Sequence, residues 1–351
     1  MTAVGTPRRS RLEGEVSTLV GVRPPEPVSV AEEFLLVDPT SGRPSGRAGA
    51  VLARLRDTGL TSFRGELATT QVTATTGPCT SLGDLRATMD AARHRVRDAA
   101  RAVGVGVLSL GVPYWSSEHP LLGRGERFQQ LLRTYAGAMA DHEACVCQVH
   151  VAVPDRETGV AVLNHLRPWL PTLLALSANS PCHEGRDTGY ASWRTVQRSR
   201  FPGSGVPPWF SSAADYDEHV ERMAECGTLV DEAPFWLARL ASHGPVVEIH
   251  AADAVPAVED AVVQAALSRA LVRTALTDLA DGLEAPQVRD DVCAAALWSA
   301  ARHGLGGAAV HIVREQQVTA TKLLRELVEH VTGALEETGD TDVLAWLESC
   351  R

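Results

Sequence analysis

The chain has 351 residues, 44% of them hydrophobic and 22% charged, with a formal net charge of −10. That length holds one large α/β domain or two ordinary ones, and the composition is that of a folded protein. The acidic balance argues against a general binder of nucleic acid or of anionic membrane, because phosphate surfaces call for a net basic face.

Residues 1–27 are polar and close on Pro24-Pro25-Glu26-Pro27, which reads as a flexible leader before a single domain over 28–351. Within it, Arg8-Arg9-Ser10-Arg11 has the look of a twin-arginine export signal, but Glu13 and Glu15 interrupt the apolar segment that would have to follow. No run of about 18 apolar residues occurs, so no membrane span is expected. Seven cysteines form no closely spaced framework and read as free thiols of a reducing cytoplasm. Cys79, Cys145 and Cys147 are expected in the core, since no second cysteine pair stands at zinc-finger spacing.

Val28 to Val37 predicts a strand, closed by the turn residues Asp38-Pro39-Thr40-Ser41-Gly42. Leu67 to Thr76 is rich in Thr and Val and therefore β-prone. Leu85, Met89, Ala92, Val96, Ala99 and Val103 recur at helical spacing, which predicts a helix over 81–103 stopped by Gly104. A short strand over 105–110, a helix over 128–140 and a strand over 145–153 follow. Residues 163–178 are mostly apolar, with Pro168 and Pro171 forcing a break. Residues 179–212, rich in Gly, Pro, Ser and Arg, read as a long ordered loop, and loops of that length are usually functional. A strand over 246–252 precedes helices over 258–281, 288–303 and 319–337, with a short one at the end. Strands interspersed with helices, then a helical last third, favour an α+β domain with helices on one side of a sheet.

Strand side chains alternate between faces. In the strand at 145, one face is apolar, whereas Val146, Gln148, His150 and Ala152 place two polar groups together. In the strand at 246, Glu248 and His250 project on one side. In the first strand Glu33 shares a face with Ser29, Ala31, Leu35 and Val37, while Glu32 sits among Val28, Val30, Phe34 and Leu36, so one of the two glutamates must leave the apolar side or find a partner. Gathered on one face, Glu33, Gln148, His150, Glu248 and His250 would suit a divalent cation; each alone equally suits the solvent face of an antiparallel sheet. Arg186, Arg194, Arg198 and Arg200 then offer guanidiniums for carboxylates or phosphates, or surface salt bridges.

At these residues the chain resembles a known family. Leu176 to Gly189, continuing through Ser192-Trp193-Arg194 to Pro202-Gly203-Ser204-Gly205-Val206-Pro207, strongly resembles the bacterial carboxylate–amine ligases related to glutamate–cysteine ligase, in its type 2 branch. Glu32 to Pro39, Thr76-Gly77-Pro78-Cys79, Val149-His150-Val151, Val247-Glu248-Ile249 and Trp298 with Ala300 to Leu305 resemble further blocks, so that the likeness spans about residues 28 to 335. It implies a glutamine-synthetase-like, curved, largely antiparallel sheet forming a funnel, with helices outside. It also implies ATP and Mg²⁺ as cofactors, and an amide formed from the carboxylate of a small amino acid, of the glutamyl-peptide type, and an amine. By the resemblance, Glu33, Glu66, His150 and Glu248 hold metal, and Glu33, Glu66, Arg194 and Arg302 are catalytic. Gln148, Arg186, Arg194, Arg200, Arg239 and His250 meet substrate or nucleotide.

The chain departs from the family pattern at four of these places. Ala31 and Thr73 stand where the family has glutamates, Gln148 where it has histidine and His250 where it has arginine. Two alternatives therefore stand beside the ligase: a repurposed enzyme on the same fold with a single-metal His/Glu site or a pre-activated substrate, and a non-catalytic relative that binds a small ligand. Small amino acids or amines are the expected partners, and a homodimer the default assembly.

Overall fold

Strand β1 (Val28–Val37) divides the molecule into two sides. Val28, Val30, Phe34 and Leu36 enter the apolar cores beneath the helices, whereas Glu33 turns to the opposite side. Glu32, on the helix side, is buried there and held by Arg93, whose Nε lies 3.1 Å from Oε2. The partner that an acid among aliphatics requires is thus a helix arginine.

The computed structural model describes residues 24–117, 123, 125–139, 142–230 and 233–349. The expected leader lies outside the described residues up to position 23, the Arg8–Arg11 cluster included, as does Ala140 at the end of the expected 128–140 helix. Pro24 and Glu26 are tied to the fold: the Arg273 guanidinium donates to Pro24 O at 2.6 Å and to Glu26 Oε2 at 2.8 Å.

After β1 come α1 (Ala48–Leu52), β2 (Thr61–Gly65), β3 (Gln71–Thr76), α2 (Leu82–Ala102) and β4 (Gly106–Leu108). Next are α3 (Glu126–Tyr135), β5 (Val146–Ala152), α4 (Arg156–Leu166) and α5 (Leu170–Ser177). The 179–212 stretch carries β6 (Cys182–His183), β7 (Arg186–Asp187) and α6 (Trp193–Arg198), followed by α7 (Ala213–Glu225). The remainder is β8 (Ala238–Leu240), β9 (Val246–Asp253), α8 (Val258–Ala280), α9 (Asp290–His303), β10 (Ala308–His311), β11 (Gln316–Thr319), α10 (Ala320–Thr338) and α11 (Asp342–Ser349).

Among the described residues the main sheet has seven strands in the order β2-β3-β1-β5-β9-β8, with β4 pairing β1, and every pairing is antiparallel. The fold is α+β, with helices on one face of the sheet. Helices α2 and α8 cover that face: Leu85 and Met89 join Val28, Val30, Cys147, Val149 and the buried stripe of α8 in one core. The breaks expected at the prolines are there, with α4 ending before Pro168 and Pro171 in the first turn of α5. Ser81 caps α2 by accepting from Gly83 N at 3.1 Å. No helix among the described residues is long and apolar enough to cross a membrane.

Candidate active site

The face of the sheet opposite the helices carries the polar residues of every central strand. Register places Thr73 of β3 opposite Glu33 of β1, Ala31 of β1 opposite Gln148 of β5, His150 of β5 opposite Glu248 of β9, and Arg239 of β8 opposite Glu248. A β-bulge sets Gln148 against two residues of β9, His250 and Ala251. Such an insertion re-aims side chains along the bulged strand, and here Glu248 and His250 stay together, 3.2 Å apart.

A cavity of about 340 Å³ lies on this face, lined by Glu33, Glu66, Gln148, Arg198, Arg239 and His250 among others. Glu33 is fixed from two sides. Val146 N donates to its Oε2 at 3.0 Å and Gln148 Nε2 to its Oε1 at 2.8 Å. Burial, then repulsion from Glu66, pushes the Glu33 carboxyl up to about 8, so the free protein holds it largely protonated at neutral pH. Glu66, just past β2, accepts from Thr73 Oγ1 at 2.5 Å and from Arg64 Nε at 3.1 Å. Thr73 thus supports the carboxylate of Glu66.

Glu248 is engaged differently. Arg239 Nε donates to its Oε2 at 2.8 Å and His250 Nε2 meets the same oxygen. Burial raises its pKa, but the His250 hydrogen bond and the Arg239 charge outweigh this and hold it well below the usual carboxylate range. Burial and Arg239 take the His250 imidazole down to about 3, so it is neutral and donates its Nε2 proton to Glu248. Arg239 also lines a second cavity of about 570 Å³, together with Glu248, Arg156 and Tyr216. His150 turns to the same face; its Nε2 is buried without a hydrogen bond, and burial lowers its pKa.

Folded His250 refuses a proton that the unfolded chain accepts below about 6.5, so the native state loses stability as pH falls from 6.5 toward 3. The depressed Glu248 carboxyl adds to the loss below about 4.5. Glu33, held protonated in the native state, works the other way over the same range, so the His250 contribution is read as a difference: relative to His250→Gln, the wild type should lose urea midpoint as pH falls from 7 to 4. Equal slopes in the two proteins would refute this.

The four expected metal ligands are not brought together. Among the described residues no three His, Cys, Asp or Glu side chains form a group that could hold an ion. Glu33 and Glu66 share one side of the cavity, Glu248 is locked into its own ion pair, and His150 lines neither cavity.

The arginines require a larger correction. Arg194 is fully buried: its Nε lies 2.5 Å from Asp253 Oδ1 and its Nη2 2.5 Å from Ala251 O, so it holds the loop to β9 and faces no ligand. Arg186 is exposed on β7, Arg200 donates to Gln197 O at 3.1 Å, and Arg302 donates to Gly189 O and lies over the Tyr190 ring, 5.6 Å from its centroid. None of these four lines the cavity. The guanidiniums that do are Arg239 and Arg198, the latter one of the four loop arginines offered for anions or for surface salt bridges, and Arg127, which was not assigned a role. Trp193 packs the loop beside His183 and Tyr190, with ring centroids 6.0 and 5.6 Å away.

Comparison with known proteins gives a consistent picture. The sequence profile described as glutamate–cysteine ligase family 2 matches residues 29–351. A Saccharopolyspora erythraea protein provisionally named glutamate–cysteine ligase 2-2 is 49% identical over 319 residues, covering 90% of this chain and 82% of its own. A Nocardia farcinica protein provisionally named glutamate–cysteine ligase 2-1 is 41% identical over 314 residues, covering 89% and 82%. Among solved structures, the fold is shared with a glutamate–cysteine ligase of Francisella tularensis in complex with AMP, at a TM-score of 0.60 and 12% identity, over 90% of this chain and 79% of that one. It is shared too with a bifunctional glutathione synthetase of Pasteurella multocida, at 0.63 and 13%, over 91% of this chain but only 46% of that longer one.

Proposed function

The chain belongs to glutamate–cysteine ligase family 2, whose members join a carboxylate to an amine, and we propose that it does so with ATP and Mg²⁺ at the cavity between Glu33 and Arg239. The observation that carries this reading is the pairing of two acidic side chains, Glu33 and Glu66, with two guanidiniums, Arg198 and Arg239, around one hollow. Mg²⁺ takes oxygen ligands, is usually held by one or two carboxylates together with substrate phosphates, and keeps several waters. The donors present fit one such ion, held by Glu33 and Glu66. They do not fit a larger set, because Ala31 and Thr73 replace two acids of the family pattern and Glu248 is occupied by Arg239 and His250.

When bound, the nucleotide and its ion would supply the phosphoryl group that activates the carboxylate. The chain's own residues prepare the site. Val146 N and the Gln148 amide fix the orientation of Glu33, and the Thr73 hydroxyl that of Glu66. Neutral His250 keeps Glu248 ionised, and Glu248 in turn fixes Arg239, which faces both cavities and so is placed to meet phosphate oxygens. The free cysteines among the described residues suit a reducing cytoplasm. The test is ADP formation from ATP with Mg²⁺ and a panel of amino acids and amines. ADP should form only when a carboxylate and an amine are both present; folded protein that makes none with any pair would end the proposal.

A further inference from the structure

A third cavity of about 450 Å³ shares Arg198 with the polar hollow. Its walls are mainly apolar, with Val206, Trp236, Leu237, Leu297 and Trp298 among them. Trp298 is 54% exposed and is hydrogen-bonded through Nε1 to the Tyr190 hydroxyl at 3.1 Å, so the two rings frame one side of the cavity. A large aromatic left this open to water on a concave surface commonly marks a place where an apolar group docks.

Arg198 belongs to both this cavity and the polar one. It donates from Nη2 to Phe235 O at 3.0 Å, while its buried Nε has no hydrogen-bond partner. A buried donor without a partner is costly, and a guanidinium fork satisfies it best with a carboxylate. Burial and the nearby Arg194 and Arg239 charges pull the Arg198 pKa well below its usual value, with Glu33 opposing. An anion beside it would relieve that unfavourable balance.

We propose that the amine substrate is an amino acid with a large aliphatic or aromatic side chain, its carboxylate held by Arg198 and its side chain seated in the apolar cavity. The proposal rests on the ligase reading for calling this molecule the amine, but its binding can be tested without turnover. The α-carbon then lies where the two cavities meet, with the amine free to enter the polar one.

The experiment is calorimetric titration of the full chain with L-phenylalanine, L-leucine, L-alanine and phenethylamine, without nucleotide. Burial of the larger side chains should make phenylalanine and leucine bind about 10- to 100-fold more tightly than alanine. Phenethylamine, which lacks the carboxylate, should bind at least about 10-fold more weakly than phenylalanine. Arg198→Met should reduce phenylalanine to the phenethylamine level. Ala294→Trp, which fills the cavity from an exposed position of α9 and so spares the core, should abolish the preference for large side chains. Phenylalanine bound no tighter than alanine, phenethylamine bound as tightly as phenylalanine, or unchanged binding in Ala294→Trp would each overturn the proposal. Saturable binding without ADP formation would keep this subsite and remove the ligase reading; ADP formation with only small amino acids would do the reverse.

Discussion

Glu33→Gln should lower ADP formation on the order of 10²–10³-fold and, in the same protein, raise thermal stability in alkaline buffer. The amide keeps the shape of the carboxyl: its oxygen can accept from Val146 N while its NH2 donates to a turned-over Gln148 amide, but it cannot become an anion for Mg²⁺. The stability effect follows from linkage. Folded Glu33 holds its proton up to about 8, whereas the unfolded chain releases it near 4.5. Between those values the native state binds more protons, so stability falls as pH rises, and the loss is complete above 8. Glutamine has no such titration. Metal-free wild type and variant should therefore melt alike near pH 4, with the variant melting higher at pH 9. Mg²⁺ with ATP should narrow that gap, since the ion favours ionised Glu33. A variant that melts lower than wild type at pH 9 would show that Glu33 is an ordinary ion-paired carboxylate and that the cation side of the site is misplaced.

The second large effect lies one helical turn from Arg198. Arg194 and Asp253 are both fully buried, and Asp253 also accepts from Ser180 Oγ at 2.7 Å, Ser192 Oγ at 2.9 Å and Asn179 N at 2.9 Å. Removing the cation leaves a buried carboxylate with neutral donors alone, which costs about 3–5 kcal/mol. Arg194→Met should lower the melting temperature by roughly 10 °C. Arg198→Met removes a cation that burial already disfavours and should cost far less. Comparable melting temperatures for wild type and Arg194→Met would mean that the pair does not hold the loop to β9. An equal drop for both variants would mean that Arg198 is structural as well.

These two arginines show how far the sequence could be read. The bounds of β1 and the division of Glu32 from Glu33 followed from alternation alone, because a ten-residue strand with one apolar face has a single consistent register. The polar face of β5 and β9 was legible for the same reason. Which loop arginine meets a ligand was not, since burial depends on what the loop packs against. The helix Trp193–Arg198, with Ser192 accepting at its start, lies inside what composition read as loop, and its pitch sends Arg194 inward to Asp253 and brings Arg198 to the cavities. A serine at a helix start was the available signal. The bulge in β9 carries no such mark, although it decides where His250 lies relative to Gln148. The β10–β11 hairpin was missed because its second strand, starting Gln316-Gln317, has no apolar alternation to find.

The most direct test follows oxygen from substrate to phosphate. The protein is given Mg²⁺, ATP, an amine panel that includes phenylalanine, and glutamate labelled with oxygen-18 in its carboxylates, and the released phosphate is weighed by mass spectrometry. Activation of the carboxylate by phosphorylation at the Glu33 cavity requires one oxygen-18 atom in each phosphate, and on the order of 10²–10³-fold less labelled phosphate when Glu33→Gln replaces the wild type. Phosphate released without the label, or labelled phosphate made equally well by Glu33→Gln, would contradict the account.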